Sequence, residues 1–331
     1  MSNFGETETS KAKNIAVLTS GGDAPGMNAA IRAVVRTGIG YGMKVFGVKK
    51  GYNGLIDGDL IKMNLRSVRD IIHRGGTFLY TARSSRFFEK EWVEKAAKTC
   101  KEHDIHAVVV IGGDGSFNGA LELSKLSIPC IGIPATIDND VGSTEYTVGF
   151  DTAMNTAMDM VDRLRDTAQS HNRCSVVEVM GRRSGEIALK TGIAVGATAI
   201  LVPEIPFDLE KDVIKRIEHT KKTGKEHFII VVAEGVNHVN DIAKEIFEKT
   251  GIETKATVLG HVQRGGNPTL RDRVIASEMG HYAVDLISQN KLNRIIGLEC
   301  GKVVDFDIKE ALSMHKDFNM NLYKAALDIS I

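Results

Sequence analysis

No apolar stretch in this 331-residue chain approaches the ~20 residues that a helix needs to cross a bilayer. The longest strongly apolar runs, Ala107 to Ile111 and Phe228 to Ala233, are strand-sized, so no membrane segment is expected. Met1 to Lys13 is polar, without the apolar core of a secretion signal or an Arg-rich amphipathic pattern, and predicts a protein that stays in the cytoplasm. Cysteine is scarce: Cys100, Cys130, Cys174 and Cys300 form no Cys-x-x-Cys pair, which argues against a zinc knuckle or a redox dithiol and fits a reducing cytosol. Net charge is missing too, with 42 Lys and Arg against 42 Asp and Glu. No whole-molecule field is therefore offered to nucleic acid or to an anionic membrane, and neither is expected as a partner. Proline numbers only 6, and no Pro/Ser-rich or low-complexity tract separates two halves. Glycine runs the other way: 33 residues exceed the usual ~7% share and point to tight turns and close backbone approach.

At ~150 residues per domain the length predicts two domains. Val- and Ile-rich runs at Ile15–Leu18, Lys44–Val48, Ala107–Ile111, Cys130–Ile133, Ser175–Val179, Ile200–Val202, Phe228–Val232, Thr257–Leu259 and Ile295–Leu298 read as strands buried on both faces. Helix-period segments lie between them, at Asn28–Gly38, Lys90–His103, Phe117–Lys125, Thr152–Thr167, Asp208–Thr220, Asn240–Lys249 and Arg271–Ser288. The alternation predicts an α/β protein built from βαβ units, with helices on both faces of a mainly parallel sheet. In the segment after Gly149, Met154 and Met158 fall on a core-facing stripe with Phe150, Ala157 and Val161 and read as packing residues.

Open parallel sheets bind ligands where a strand ends in a Gly-rich turn before a helix. Gly112-Gly113-Asp114-Gly115-Ser116 has that setting. Its glycines let backbone N–H groups approach a phosphate, the helix dipole favours the anion, and Asp114 is placed to hold Mg²⁺ on it. A plain turn with Asp114 capping the helix is the alternative. Thr19-Ser20-Gly21-Gly22-Asp23-Ala24-Pro25-Gly26 has the same context and the same ambiguity. Pro134-Ala135-Thr136-Ile137-Asp138-Asn139-Asp140 ends another strand with two carboxylates, suited to a general base and a metal ligand, or to a simple Asx-turn. A calcium loop fits poorly, since Ser143 and Gly149 stand where it needs Gly and Glu.

Cations also gather at strand ends, in Met180-Gly181-Arg182-Arg183, in Gly260-His261-Val262-Gln263-Arg264-Gly265-Gly266, and near Arg74-Gly75-Gly76 and Thr81-Ala82-Arg83. Together they point to a doubly phosphorylated reaction centre, because the charge on a transferring phosphoryl group must be neutralised in place. Neither a Walker motif, a protein-kinase catalytic loop nor a dinucleotide fingerprint occurs, which speaks against those nucleotide folds and against a nicotinamide dehydrogenase.

Thr19 to Asn28, Arg74-Gly75-Gly76-Thr77, Ile111 to Ser116, Thr136 to Asp140, Met180-Gly181-Arg182 and Gly260 to Gly266 occur in an order that closely resembles the bacterial-type ATP-dependent 6-phosphofructokinases, from about Ile15 to the C-terminus. The resemblance implies two α/β lobes, each a mainly parallel sheet sandwiched between helices, in a homotetramer. It divides the chain into a disordered extension at 1–11, an ATP lobe at 12–149 plus 263–313, and a fructose 6-phosphate lobe at 150–262 plus 314–331. It implies ATP along Gly22, Arg83, Ser84, Asp114, Gly115 and Ser116, with Mg²⁺ held through Asp114. Asp138 becomes the base for the sugar 1-hydroxyl, with Thr136 and Asp140 beside it and Arg83 and Arg182 on the transferring phosphoryl group. Met180, Gly181, Glu234, His261 and Arg264 join the sugar phosphate site, while Arg173 and Lys255 reach its 6-phosphate from a neighbouring subunit.

Relatives that use pyrophosphate carry Asp at the position of Gly115 and Lys at that of Ala135, so the small residues here imply ATP as donor over pyrophosphate. Retention of Asp138, Arg83 and Arg182 argues against a silent regulatory subunit. The chain also departs from the family pattern. A nucleotide-site Arg is replaced by Phe88, with Arg86 near enough to serve, and an Arg for the 6-phosphate is Lys255, which loses the bidentate fork. In the family's pocket for the effectors ADP or phosphoenolpyruvate, Arg32, Arg36, Asp70, Arg165 and Lys225 match, but Leu65, Thr198 and Glu226 replace an Arg, a Glu and a Lys.

Overall fold

The β-branched runs become strands with almost no exposed side chain, as in Asn14–Thr19 and Phe228–Ala233, where every residue is buried. A computed structural model describes residues 13–330, and the expected extension at 1–11 lies outside them. In chain order the strands are β1 (Asn14–Thr19), β2 (Lys44–Val48), β3 (Leu60–Lys62), β4 (Ile105–Gly112), β5 (Cys130–Pro134), β6 (Cys174–Val179), β7 (Ala199–Leu201), β8 (Phe228–Ala233), β9 (Thr254–Val258), β10 (Arg294–Glu299) and β11 (Lys302–Asp307). The helices are α1 (Met27–Gly40), α2 (Tyr52–Asp57), α3 (Lys90–Glu102), α4 (Asp114–Lys125), α5 (Phe150–Ser170), α6 (Glu186–Ala194), α7 (Lys215–Lys222), α8 (Val239–Thr250), α9 (Leu270–Ser288), α10 (Ile308–Ser313) and α11 (Met320–Asp328).

Two sheets form. The larger runs β11-β10-β5-β4-β1-β2-β3, parallel except for the antiparallel edges β3 and β11. The smaller runs β7-β8-β6-β9 and is parallel throughout. The chain leaves the large sheet after β5, builds the small one, and returns through α9 to add β10 beside β5. It ends on the small sheet again, where the Tyr323 hydroxyl of α11 donates to the Ile200 carbonyl at 3.3 Å. Apolar side chains of both sheets, among them Val109 and Ile133 of the larger and Val179 and Val231 of the smaller, join one continuous core, which fixes the cleft between the strand ends.

The edges are where the sequence reading fell short. β3 and β11 are short or half-exposed strands with few buried residues, so they lack the apolar run that marks a central strand. β9 begins earlier than expected, at Thr254, because it too is a half-exposed edge. The helix expected over 208–220 begins with a π-helical turn at Glu210–Ile214 before α7.

Candidate active site

The Gly-rich turn after β1 packs directly on the turn after β4. Ser20 N–H donates to the Ile111 carbonyl at 3.0 Å. A side chain at Gly112 would strike the Ser116 hydroxyl and would lie 2.6 Å from the Ser20 carbonyl, so only glycine lets the two turns close. Gly21 holds φ +89°, the left-handed region that glycine enters freely. α4 begins at Asp114, earlier than the expected Phe117, so Asp114 to Ser116 form its first turn, where backbone N–H groups have no helical partner. The capping alternative fails, because Gly113 is the N-cap and no side chain caps this helix. At Gly115 a Cβ would meet nothing within 4 Å, leaving open space in front of the turn.

Thr136 to Asp140 follow β5. Asp138 is 2% exposed and its Oδ1 has no hydrogen-bond partner. It is therefore no Asx-turn residue; its own N–H donates to the Thr136 hydroxyl at 3.2 Å, and Asn139, at φ +50°, ties the loop to the following segment, its Oδ1 accepting from Thr147 N–H at 3.0 Å and its Nδ2 donating to the Glu145 carbonyl at 3.3 Å. Burial, then the charge of Asp140, pushes the Asp138 carboxyl up to about 6, against the pull of Arg264 and Arg182. Asp114 is likewise pushed up to about 6, by burial and then by Asp140, with Arg182 opposing. Three carboxylates and two guanidiniums thus converge at the ends of β4, β5, β6 and β9.

Arg182 is set by an unusual backbone. Gly181 holds φ +145° and Arg182 φ +54°, and the Glu234 carboxylate accepts both N–H groups, at 3.3 and 3.0 Å. The guanidinium reaches Asp140 at 3.7 Å. Met180 N–H donates to the buried Gln263 Oε1 at 3.3 Å, tying this turn to the one that carries His261 and Arg264. Arg264, only 9% exposed, crosses to the first turn: its Nη1 donates to the Asp23 carbonyl at 3.2 Å, and a side chain at Gly22 would collide with it. His261 is exposed on the same short 3₁₀ turn.

Other expected residues form no hydrogen bond or ion pair with this cluster, although the chain just before Arg83 lies on the first turn, where the Thr81 hydroxyl donates to the Gly21 carbonyl at 2.9 Å. Arg83 is exposed and makes no hydrogen bond or ion pair among the described residues, and the Ser84 hydroxyl donates to Asn53 at 2.6 Å. Arg86 does not stand free in place of the missing cation: its fork closes on Asp57 at 2.8 and 3.0 Å and lies 5.3 Å from the Trp92 ring centre, while Phe88 is 91% exposed. Arg173 and Lys255 sit at the opposite, amino-terminal end of the small sheet, flanking Glu253 at 2.8 and 3.5 Å. The residues expected in an effector pocket fall into separate groups. Arg165 and Lys225 meet around the buried Thr198, whose hydroxyl accepts from Lys225 at 3.2 Å, and the Arg165 guanidinium donates to the Val195 carbonyl. Arg32 and Arg36 neighbour each other on α1, and Asp70 pairs with Arg69 at 3.0 Å.

Sequence reading missed the residues that hold these groups. Asn139 and Gln263 lie inside the quoted motifs, so spacing could have flagged them as buried amides. Asn28 also lies inside one; it accepts Phe78 N–H at 2.7 Å and donates to the Arg74 carbonyl at 3.1 Å, fixing the loop after Arg74. Lys316, whose ammonium donates to the Thr144 and Glu145 carbonyls at 3.0 Å each and is depressed to about 8 chiefly by burial, had no signal at all.

Residues 14–287 match the Phosphofructokinase family model. An ATP-dependent 6-phosphofructokinase of Clostridium botulinum is 54% identical over 318 residues, 96% of this chain and 99% of that one. Among solved structures, phosphofructokinase from Saccharomyces cerevisiae superimposes with a TM-score of 0.87 at 37% identity over 96% of this chain, which spans 48% of the yeast chain. A pyrophosphate-dependent phosphofructokinase from Marinobacter aquaeolei shares the fold, with a TM-score of 0.83 at 22% identity, over 96% of this chain and 91% of that one. With a full-length relative at this identity and the strand-end turns assembled around one carboxylate cluster, the chain belongs to the phosphofructokinase family.

Proposed function

We propose that this chain is an ATP-dependent 6-phosphofructokinase, transferring the γ-phosphoryl group of MgATP to the 1-hydroxyl of D-fructose 6-phosphate to give fructose 1,6-bisphosphate and ADP in glycolysis. The observation that carries the mechanism is Asp138: a buried carboxylate with a bare oxygen, raised to about 6 yet flanked by Arg182 and Arg264. Such a group is ionised near neutral pH and still basic enough to take the hydroxyl proton as the sugar oxygen attacks phosphorus. The bond from the γ-phosphorus to the bridging oxygen breaks as the new one forms, and the leaving charge stays on ADP. Arg182 and Arg83 are the cations for the transferring group. Thr136 and Asp140 flank the base, and Met180, Gly181, Glu234, His261 and Arg264 complete the sugar phosphate site.

The nucleotide reading puts the phosphates on the turns of Gly22 and of Asp114, Gly115 and Ser116, with Arg83 and Ser84 along the same cleft. Gly115 leaves room there, which favours a nucleotide over pyrophosphate. Among the described residues no three His, Cys, Asp or Glu side chains form a metal cage. The chemistry fits Mg²⁺ arriving on the phosphates with Asp114 as its protein carboxylate, since this ion is usually held by one or two carboxylates plus phosphate oxygens. When bound, the ion neutralises phosphate charge.

The division into lobes at 12–149 plus 263–313 and 150–262 plus 314–331 is supported by sheet membership, with β10 and β11 returning to the first sheet. Arg173 and Lys255 are assigned to the 6-phosphate of a neighbouring subunit, which makes a homotetramer the working assembly. Among the described residues no helix is long and apolar enough to cross a membrane; the free cysteines fit the cytoplasm. A coupled assay offering ATP, GTP and pyrophosphate with fructose 6-phosphate tests the reading. Turnover with ATP is expected, and turnover with pyrophosphate alone, or with no donor, would overturn it.

A further inference from the structure

We infer that Asp272, outside every motif assigned to the chemistry, is a positioning residue for the transfer step, holding the loop of Asp138 in register with the loops of Gly22 and Arg264; the inference rests on the role proposed for Asp138. Asp272 lies in the first turn of α9 and is 0% exposed. Its carboxylate does not cap its own helix, whose N-cap is Thr269. Instead it crosses to the start of α5 and accepts four hydrogen bonds: Tyr146 hydroxyl at 2.5 Å, Gly149 N–H at 2.7 Å, Thr152 N–H at 2.9 Å and Thr152 hydroxyl at 2.5 Å. Both hydroxyl protons are committed to it. The Tyr146 oxygen accepts from Asp151 N–H at 3.3 Å, and the Thr152 oxygen accepts from Thr269 N–H at 3.0 Å. Only an ionised carboxylate has acceptors for all four donors; an amide would set N–H against N–H or O–H.

These partners bound the loop that carries the base. Between Tyr146 and Gly149, the Thr147 N–H reaches Asn139 Oδ1 at 3.0 Å and its hydroxyl donates to the Thr136 carbonyl at 2.6 Å, so Asp138 is clasped from both sides. Val148 N–H donates to the Pro134 carbonyl at 2.9 Å. The nucleotide turn packs on the same point. A side chain at Gly26 would lie 2.6 Å from Val148 Cγ1 and 3.4 Å from Asp272 Cβ, and one at Gly149 would lie 2.6 Å from Ala24 Cβ. The turn of Arg264 leads directly into α9. One buried charge therefore sets three loops against each other, and misplacing reacting groups by about 1 Å commonly costs on the order of 100-fold in rate.

The test uses the full chain with Thr152→Val, Thr152→Ser, Tyr146→Phe and Asp272→Asn, each assayed well below its own melting temperature. Thr152→Val and Tyr146→Phe each remove one bond to Asp272, together with the bond the lost hydroxyl accepts from Thr269 N–H or Asp151 N–H. Each should lower kcat about 10-fold, leave both KM values within about 3-fold, and move the acid limb of the kcat–pH profile. Thr152→Ser keeps the hydroxyl and should restore kcat and the limb. Asp272→Asn should lose about 100-fold; if it does not fold, the two loop-side variants decide. Lower melting temperatures with wild-type kcat and an unmoved limb would overturn the positioning role. Asp138→Ala separates the two claims. If it is inactive while Thr152→Val and Tyr146→Phe turn over normally, only the role of Asp272 falls. If it turns over normally, the base assignment fails and this inference falls with it.

Discussion

The two ends of β6 present opposite chemistry. At its carboxyl end Met180 to Arg182 turn through two positive-φ residues into a cleft shared with Asp114, Asp138, Asp140 and Arg264, where carboxylates and guanidiniums perturb one another. At its amino end Arg173, with Lys255 on the neighbouring strand, spends its charge on Glu253 at the surface. Both ends carry arginines that the family pattern assigns to phosphate, yet this chain assembles only one of them into a site. The difference teaches that a parallel sheet concentrates its own chemistry at one edge, where strand-end turns converge. A cation at the other edge can serve the reaction only through another copy of the chain.

The largest expected effect lies at the carboxyl end. Asp138→Ala should lower kcat by roughly 10²–10⁴-fold, the usual worth of a general base, with fructose 6-phosphate affinity within severalfold; a variant keeping a tenth of wild-type turnover removes the assignment. The wild-type rate should fall as pH drops through about 6, because protonating Asp138 deletes the acceptor. Next, Arg182→Ser and Arg83→Ser should each cost roughly 10²–10³ in kcat with smaller changes in KM for ATP. Arg182→Ser should also shift the acid limb to higher pH, since Arg182 pulls the Asp138 carboxyl down. An effect on KM alone would make both arginines ground-state ligands.

The amino end should respond differently. Arg173→Ala is expected to raise KM for fructose 6-phosphate by about 10- to 100-fold, the scale of a charge-assisted hydrogen bond, with a lesser change in kcat. Co-expressing Arg173→Ala with Asp138→Ala subunits should recover activity, because a mixed oligomer contains intact sites. No recovery would mean that Arg173 does not work across subunits, and the contrast between the two ends would lose its functional meaning. The smallest response is expected from effectors. Lys225 is spent on Thr198 and Arg165 on a backbone carbonyl, and Leu65 and Glu226 supply no cation. Activation by MgADP at subsaturating fructose 6-phosphate should therefore be weak, and strong activation at micromolar MgADP would refute that.

Central strands and the turns after them were legible from local pattern, because a strand buried on both faces must be apolar along its whole length, as at Ala107 to Ile111. The edges β3 and β11 were not, since one face and one backbone row stay in water and the apolar signal is halved. The same divide runs through the site. Asp138 and Arg182 were readable as strand-end residues, whereas Lys316 and Asp272 act through partners more than a hundred residues away and leave no periodic trace.

By itself the sequence determined the α/β class, the positions of the ligand-facing turns and the residue types available for phosphoryl transfer, all of which depend on contacts between near neighbours along the chain. Only the tertiary structure decided which carboxylate is buried and bare, which arginine is free or already paired, and which end of β6 becomes a site. Desolvation and charge–charge interactions act through space, and their strength depends on distances that no spacing in the chain specifies.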